Sequence, residues 1–167
     1  MGVPEMSERR FIRLTVPAAL EFRELALRTV AEACRLVRGH SGAPVPLASG
    51  SQNFDLSDRF SAEMVSAVSE IFNNIAIHSY GGEATGEVLI EMELAGSQLA
   101  VQISDHGMAF DPKDVPSPEL EQLPEGGMGI HIARALLDEV DYEPGPPNLW
   151  RLVKRLPAVA ERKTSAK

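Results

Sequence analysis

Two alternating runs, GEVLIEMEL and QLAVQISD, stand almost back to back, separated only by AGS, and nothing else in the chain limits the fold as firmly. Alternation of apolar and polar residues is the period of a strand with one face buried and the other wet. A short break containing glycine is the length of a hairpin connection. The apolar face of such a hairpin must be covered by something. The chain supplies covers. From Ala18 to Val37 the apolar spacing is helical (Leu20, Leu25, Leu27, Val30, Ala33, Cys34, Val37). From Ser57 to Ser79 the residues Phe60, Met64, Ala67, Val68, Ile71 and Ile75 fall on one side of a second helix, with Ser57 or Asp55 as its cap. A third helical pattern, Ile130, Ala133, Leu137 and Val140, follows at 3-4-3 spacing. RFIRLTVP, residues 10–17 with Phe11, Ile12, Leu14 and Val16, reads as a first strand ended by Pro17, and DYEP with LWRLVKRL as a last pair around GPPN. Strands grouped against helices predict an α+β fold: a two-layer sandwich with helices packed on one face of a mixed β-sheet.

Length and composition narrow the setting. At 167 residues the chain predicts one domain with a sizeable core, spanning 10–156 between a flexible N-terminus (1–9) and a flexible, polar C-terminal tail (157–167). A net charge of −8 argues against wrapping a nucleic-acid backbone, which needs clustered Lys and Arg. The single cysteine, Cys34, lies in an apolar helical run and predicts a buried, inert thiol, with no internal disulfide. No apolar run approaches the roughly 18 residues of a membrane span, and MGVPEMSERRF lacks the apolar block of a signal peptide. A cytoplasmic protein without a membrane or direct nucleic-acid partner is expected. The stretch RGHSGAPVPLASGSQNFDLS reads as a long, variable loop over about 39–56.

Three stretches carry chemistry. In SEIFNNIAIHSYGG, residues 69–82, Glu70, Asn74 and His78 are spaced i, i+4, i+8 and project from one side of the second helix while Ile71 and Ile75 turn to the core. A carboxylate and an amide one turn apart suit a hydrated Mg²⁺, or the carboxylate could take a proton from an attacking hydroxyl. A solvated helix face ending in HSYGG is the plainer alternative. In ISDHGMAFDP, Asp105 closes a strand and Gly107 follows where backbone can approach a ligand closely. That carboxylate can accept from an exocyclic amine such as adenine's, although Asp-x-Gly is also ordinary turn chemistry. In EGGMGIHIARALLDEV, Gly126, Gly127 and Gly129 lead directly into a helix, whose free N–H groups and positive end suit a phosphate. Neither the P-loop nor the Gly-x-Gly-x-x-Gly pattern is present.

Together and in this order the three stretches resemble the N, G1 and G2 boxes of the GHKL ATPase superfamily, the histidine-kinase-like ATP-binding (Bergerat) fold that gyrase also has. Within it, AVSEIFNNIAIHSYGG, SDHGMAFDP and EGGMGIHIARALLDEVDY look most like the bacterial anti-sigma factor serine/threonine kinases. The resemblance covers roughly residues 10–156. It implies that Glu70 is the general base, that Asn74 is the Mg²⁺ ligand bridging the phosphates, and that Asp105 specifies adenine with Gly107 as its companion. It further implies that Gly127 and Gly129 contact phosphate at the end of an ATP lid over 111–128, and that His78, Ala109, Phe110, Gly126, Met128 and Ile130 complete the nucleotide site. ATP and Mg²⁺ are the implied cofactors. A sigma factor and an anti-sigma factor antagonist are the implied partners, the protein sequestering the first and phosphorylating the second, as a homodimer.

Some features depart from that pattern. The 39–56 loop is longer than expected between the first two helices, and the lid carries one basic residue, Lys113, against Asp111, Asp114, Glu119, Glu121 and Glu125. Phosphoryl transfer concentrates negative charge that cations usually offset, so the lid leaves that task to Mg²⁺, backbone amides and His78. A nucleotide-sensing module that docks partners without transferring phosphate is therefore a competing reading. The catalytic piece of a histidine kinase is another, but about nine residues precede the first strand, with no phosphoacceptor hairpin among them. Asn73 has no assigned role. His40, His106 and His131 show no metal-ligand spacing, and Trp150 reads as a core or interface aromatic.

Overall fold

The computed structural model describes residues 9–40, 56–83, 85–109 and 128–157. In chain order these form β1 (Arg10–Pro17), a 3-10 turn (Leu20–Phe22), α1 (Arg23–His40), α2 (Arg59–Asn74) continued by a widened π turn (Ile75–Ser79), β2 (Glu87–Ala95), β3 (Gln98–Asp105), α3 (Gly129–Leu136), β4 (Glu139–Glu143) and β5 (Asn148–Arg155). The five strands make one sheet in the order β1-β2-β3-β5-β4.

Alternation sets the sheet's two faces. Val88, Ile90, Met92 and Leu94 of β2 and Leu99, Val101 and Ile103 of β3 point inward and are buried, while Glu87, Glu91, Glu93 and Gln102 take the opposite parity. The hairpin closes at Gly96, which adopts φ +55, a conformation costly for a residue with a Cβ. The helices cover the inner face, α1 over β1–β3 and α2 between α1 and α3. Their apolar stripes meet it with Val30, Cys34 and Val37 from α1, Met64, Val68 and Ile71 from α2, and Ile130 and Ala133 from α3. The two-layer α+β sandwich is as expected.

The mixed sheet is not. All four pairings are antiparallel. The β3–α3–β4 crossover does carry β4 parallel to β3, but one position over, and β5 hairpins back from β4 into the gap. The third helix is also shorter than its spacing predicts: Leu137 turns extended with φ −110 and ψ 160, and Val140 lies in β4. The spacing that satisfies a helix there also contains the alternation of EVDY. Trp150 is core, 3% exposed, with its ring 4.4 Å from that of Tyr142 directly across the β4–β5 pair.

The α2 cap is Asp58, one residue beyond Ser57; Asp55 lies outside the described residues. The Asp58 carboxylate accepts from the Ser61 N–H at 2.9 Å and takes Arg38 Nη1 at 2.6 Å, tying the end of α1 to the start of α2. Cys34 lies buried below, and burial first, then the Asp58 charge, pushes its thiol up to about 12. It is an inert core residue, as expected. No helix among the described residues is long and apolar enough to cross a membrane.

Candidate functional site

Glu70 and Asn74 stand on the last turns of α2, both half-buried. Beyond Asn74 the ladder widens: the Ile75 N–H still reaches Ile71 O and Phe72 O, but Ile75–Ser79 forms a π turn. Gly81 and Gly82, at φ +63 and +79, then end the helix, the Gly82 N–H closing on Ala76 O at 3.1 Å. Insertions of this kind recur at functional sites, where they re-aim side chains. Here the wider turn carries His78 off the straight i, i+4, i+8 line and leaves it exposed.

Asp105 ends β3 on the inner face, 1% exposed. Its Oδ1 accepts from the Gly107 N–H at 2.8 Å and from Asn148 Nδ2 at 3.1 Å. Its Oδ2 is buried without a hydrogen-bond partner. Among the described residues, this is the one buried carboxylate oxygen in that state. A bare carboxylate oxygen is costly to bury, and it is therefore a ready acceptor for a ligand N–H. The turn after Asp105 is clamped from the helix side. Met108 N–H donates to Ser79 O at 2.9 Å, and the His106 N–H donates to Tyr80 Oη at 3.0 Å. A Cβ on Gly107 would sit 2.6 Å from Ser79 O, so only glycine allows this approach.

The third stretch closes onto the first. α3 begins at Gly129, buried against α2, and a Cβ there would lie 2.6 Å from Glu70 Oε2. The Glu70 carboxylate thus lies beside the first turn of α3, where N–H groups lack helical partners and the dipole is positive. Ile130 is buried, while Met128 is exposed, as are Met108 and Ala109. Phe110, Gly126 and Gly127, with the lid positions 111–127, lie outside the described residues. The structure therefore joins Glu70 to Gly129, and Asp105 and Gly107 to the end of the same α2 helix.

A family model described as a histidine kinase-like ATPase domain matches residues 24–153. The chain belongs to that family. Over 87 residues it is 33% identical to the serine-protein kinase RsbW of Bacillus thuringiensis (strain Al Hakam) and equally to that of Bacillus cereus (strain AH820), a match covering 47% of this chain. That match spans about half of those relatives' length, 53%. Among solved structures, the RsbU and RsbW domains of Rv1364c from Mycobacterium tuberculosis align with a TM-score of 0.51 at 21% identity, covering 87% of this chain and 32% of that one. At that identity the likeness concerns the fold.

Three residues of this histidine kinase-like ATPase domain escape a reading of the sequence. Asn148, 1% exposed, bonds Asp105 and, through the same Nδ2, Gly107 O at 3.1 Å. It sits in the turn-like string GPPN and meets Asp105 across 43 residues of chain, so only strand register reveals it. Tyr80 reads as part of a helix stop, yet its ring packs where a Gly86 Cβ would lie 2.0 Å away, and its hydroxyl holds the turn after Asp105. Arg23 Nη1 donates to Asn73 Oδ1 at 3.1 Å, which gives Asn73 a role between α1 and α2.

Proposed function

We propose that this chain is an ATP-dependent protein serine/threonine kinase that sequesters a sigma factor and phosphorylates an antagonist of anti-sigma action. The observation that carries the nucleotide reading is the unpartnered, buried Oδ2 of Asp105. It suits the exocyclic amine of adenine and repels the O6 carbonyl of guanine. Close packing at Gly107 and Gly129 draws the end of β3 and the start of α3 against the last turns of α2, and the N–H groups that open α3 suit a phosphate. These residues fit a nucleoside triphosphate with its base at the β3 end and its phosphates toward α3.

On this reading Glu70 takes the proton of the incoming serine or threonine hydroxyl. The hydroxyl oxygen bonds to the γ-phosphorus, and the β–γ bridging bond breaks with its electron pair leaving on ADP. Asn74, one turn on, would hold Mg²⁺ together with phosphate oxygens and water, and the ion would supply the positive charge that the transferring group needs. The names of the relatives, serine-protein kinases, support the reaction class. The acidic sequence of 111–125 favours a second reading, a nucleotide-sensing module that docks protein without transferring phosphate.

Calorimetric titration with Mg-ATP and Mg-GTP tests the pocket: ATP should bind and GTP should bind far more weakly. Equal affinities would remove Asp105 from the base site. Incubation with labelled ATP and co-purifying proteins tests transfer, and labelled nucleotide bound but never passed on would favour the docking module.

A further inference from the structure

Asp105 and Asn148 face each other at the last register position of the β3–β5 pair, both 1% exposed. Both N–H groups of the Asn148 amide are engaged, and its carbonyl accepts one bond. Its Nδ2 donates to Asp105 Oδ1 and to Gly107 O, each at 3.1 Å, and its Oδ1 accepts from the Gly145 N–H at 3.2 Å. The orientation of the amide follows from this network. Turned over, its carbonyl would face a carboxylate oxygen and a carbonyl, and its NH₂ would face the Gly145 N–H. With the Gly107 N–H also on Oδ1, that oxygen is saturated and Oδ2 is left bare.

The choice of an amide matters. A lysine or arginine at this place would neutralise the carboxylate and compete for both oxygens. A neutral amide with two N–H groups grips one oxygen and leaves the other charged and open. Because both donors are engaged inside the protein, Asn148 has none to offer a base carbonyl. We propose that Asn148 is a positioning residue that determines purine specificity: it fixes Asp105 so that Oδ2 alone faces the ligand, making the pocket an acceptor-only reader of an exocyclic amine. This rests on the adenine-pocket reading above.

The test is a ligand–mutant cycle on the full chain, with Mg²⁺ held constant. ATP and purine riboside triphosphate, which lacks the 6-amino group, are titrated against wild type, Asn148→Leu and Asn148→Ser. Leucine keeps the branching of asparagine without its polar atoms, and serine keeps a single donor. Wild type should prefer ATP by roughly 10-fold or more, the worth of a hydrogen bond to a charged group. In Asn148→Leu that preference should collapse to about 3-fold or less, with serine between, because the carboxylate is no longer aimed. Should the leucine variant fail to melt cooperatively, the serine variant alone decides, by a reduced or an unchanged preference. Both nucleotides weakening by one common factor in the variants would leave Asn148 a merely structural residue and overturn the inference, with the adenine pocket intact. A wild type that does not distinguish the two nucleotides would take down the pocket and this inference together.

Discussion

The β3–β5 pair has two ends, and each holds a carboxylate under the helices. At one end β5 places Lys154 opposite Leu99. Its Nζ lies 2.5 Å from Glu63 Oε2 of α2 and donates to Leu136 O at the end of α3 at 2.7 Å, while Arg59 Nε holds the other Glu63 oxygen at 2.6 Å. Burial pushes the Glu63 carboxyl up, but the bonds to Lys154 and Arg59 outweigh it, and the net shift is downward. At the other end Asp105 meets a neutral amide, and one of its oxygens meets nothing. The first end is saturated and binds three elements together. The second is left chemically incomplete, which costs stability and makes sense where a ligand completes it. Helix α2 spans both, with Glu63 at the structural end and Glu70 seven residues on, beside Gly129 at the other.

If the two ends are as different as this, changes at one should move function and changes at the other should move stability. The largest effect is expected at Glu70. Glu70→Gln keeps shape and cannot take a proton, so phosphate transfer should fall about 10²–10⁴-fold while nucleotide affinity and melting temperature barely move. Asn74→Ala should instead weaken Mg-ATP binding itself, if Asn74 holds the metal as proposed. Transfer and binding measured side by side decide it, and wild-type transfer by Glu70→Gln would show that another group is the base.

Asp105→Asn comes next. Losing a hydrogen bond to a charged group should weaken ATP by about 1.5–3 kcal/mol in a titration. The ligand-free protein should be little affected. Two charge-assisted bonds to Oδ1 weaken, while the penalty of a bare charged oxygen disappears, and these opposing terms are each about 1–3 kcal/mol. A urea melt showing a large loss of stability without any change in ATP affinity would make this a structural end after all.

The hairpin, the helices and three residues of the candidate site were legible in the sequence, whereas the Lys154–Glu63 end was not. The β2–β3 hairpin is readable because its strands alternate without interruption, and Glu70, Asp105 and Gly129 because each sits in a short local pattern. What escaped is non-local. Whether a strand runs parallel depends on where β5 inserts, and nothing within β4 or β5 says so. Asn148 reads as the last letter of a turn until the register places it on Asp105. Asp58 does not stand out from its neighbours Ser57 and Asp55, because the three cap candidates differ only in helix phase. The π turn at Ile75–Ser79 lies inside a run whose apolar spacing fits an ordinary helix, so the displacement of His78 had no local signal.

At the structural end, Lys154→Met should cost about 1–3 kcal/mol in a urea melt, because it leaves a largely buried Glu63 oxygen and the Leu136 carbonyl without their donor. ATP affinity should stay within about 2-fold. A loss of ATP binding equal to that of Asp105→Asn would mean that the two ends are coupled through α2 and are not separate.

The smallest effect expected is a change in how stability responds to acid. Glu63 is held below the ordinary carboxylate range by Lys154 and Arg59, so the unfolded chain binds its proton at a higher pH than the folded one. Its contribution to stability is therefore complete above the unfolded value near 4.3 and is lost as pH falls through the lower folded value. One proton taken up differently between the two states corresponds to a slope of about 1.4 kcal/mol per pH unit. Glu32 and Glu139 are also lowered, but by Arg35 and by Arg155 with Arg151, so their share of the slope should be the same with and without Lys154. In Lys154→Met the slope below pH 4.3 should become shallower by less than one proton's worth, about 1.4 kcal/mol per pH unit at most, because Arg59 remains as a weaker, exposed partner. Urea melts of both proteins between about pH 3 and 6 measure this. Parallel curves would show that Lys154 stabilises the fold through its bond to Leu136 O alone, and that the charge pairing which sets this end apart from Asp105 contributes nothing.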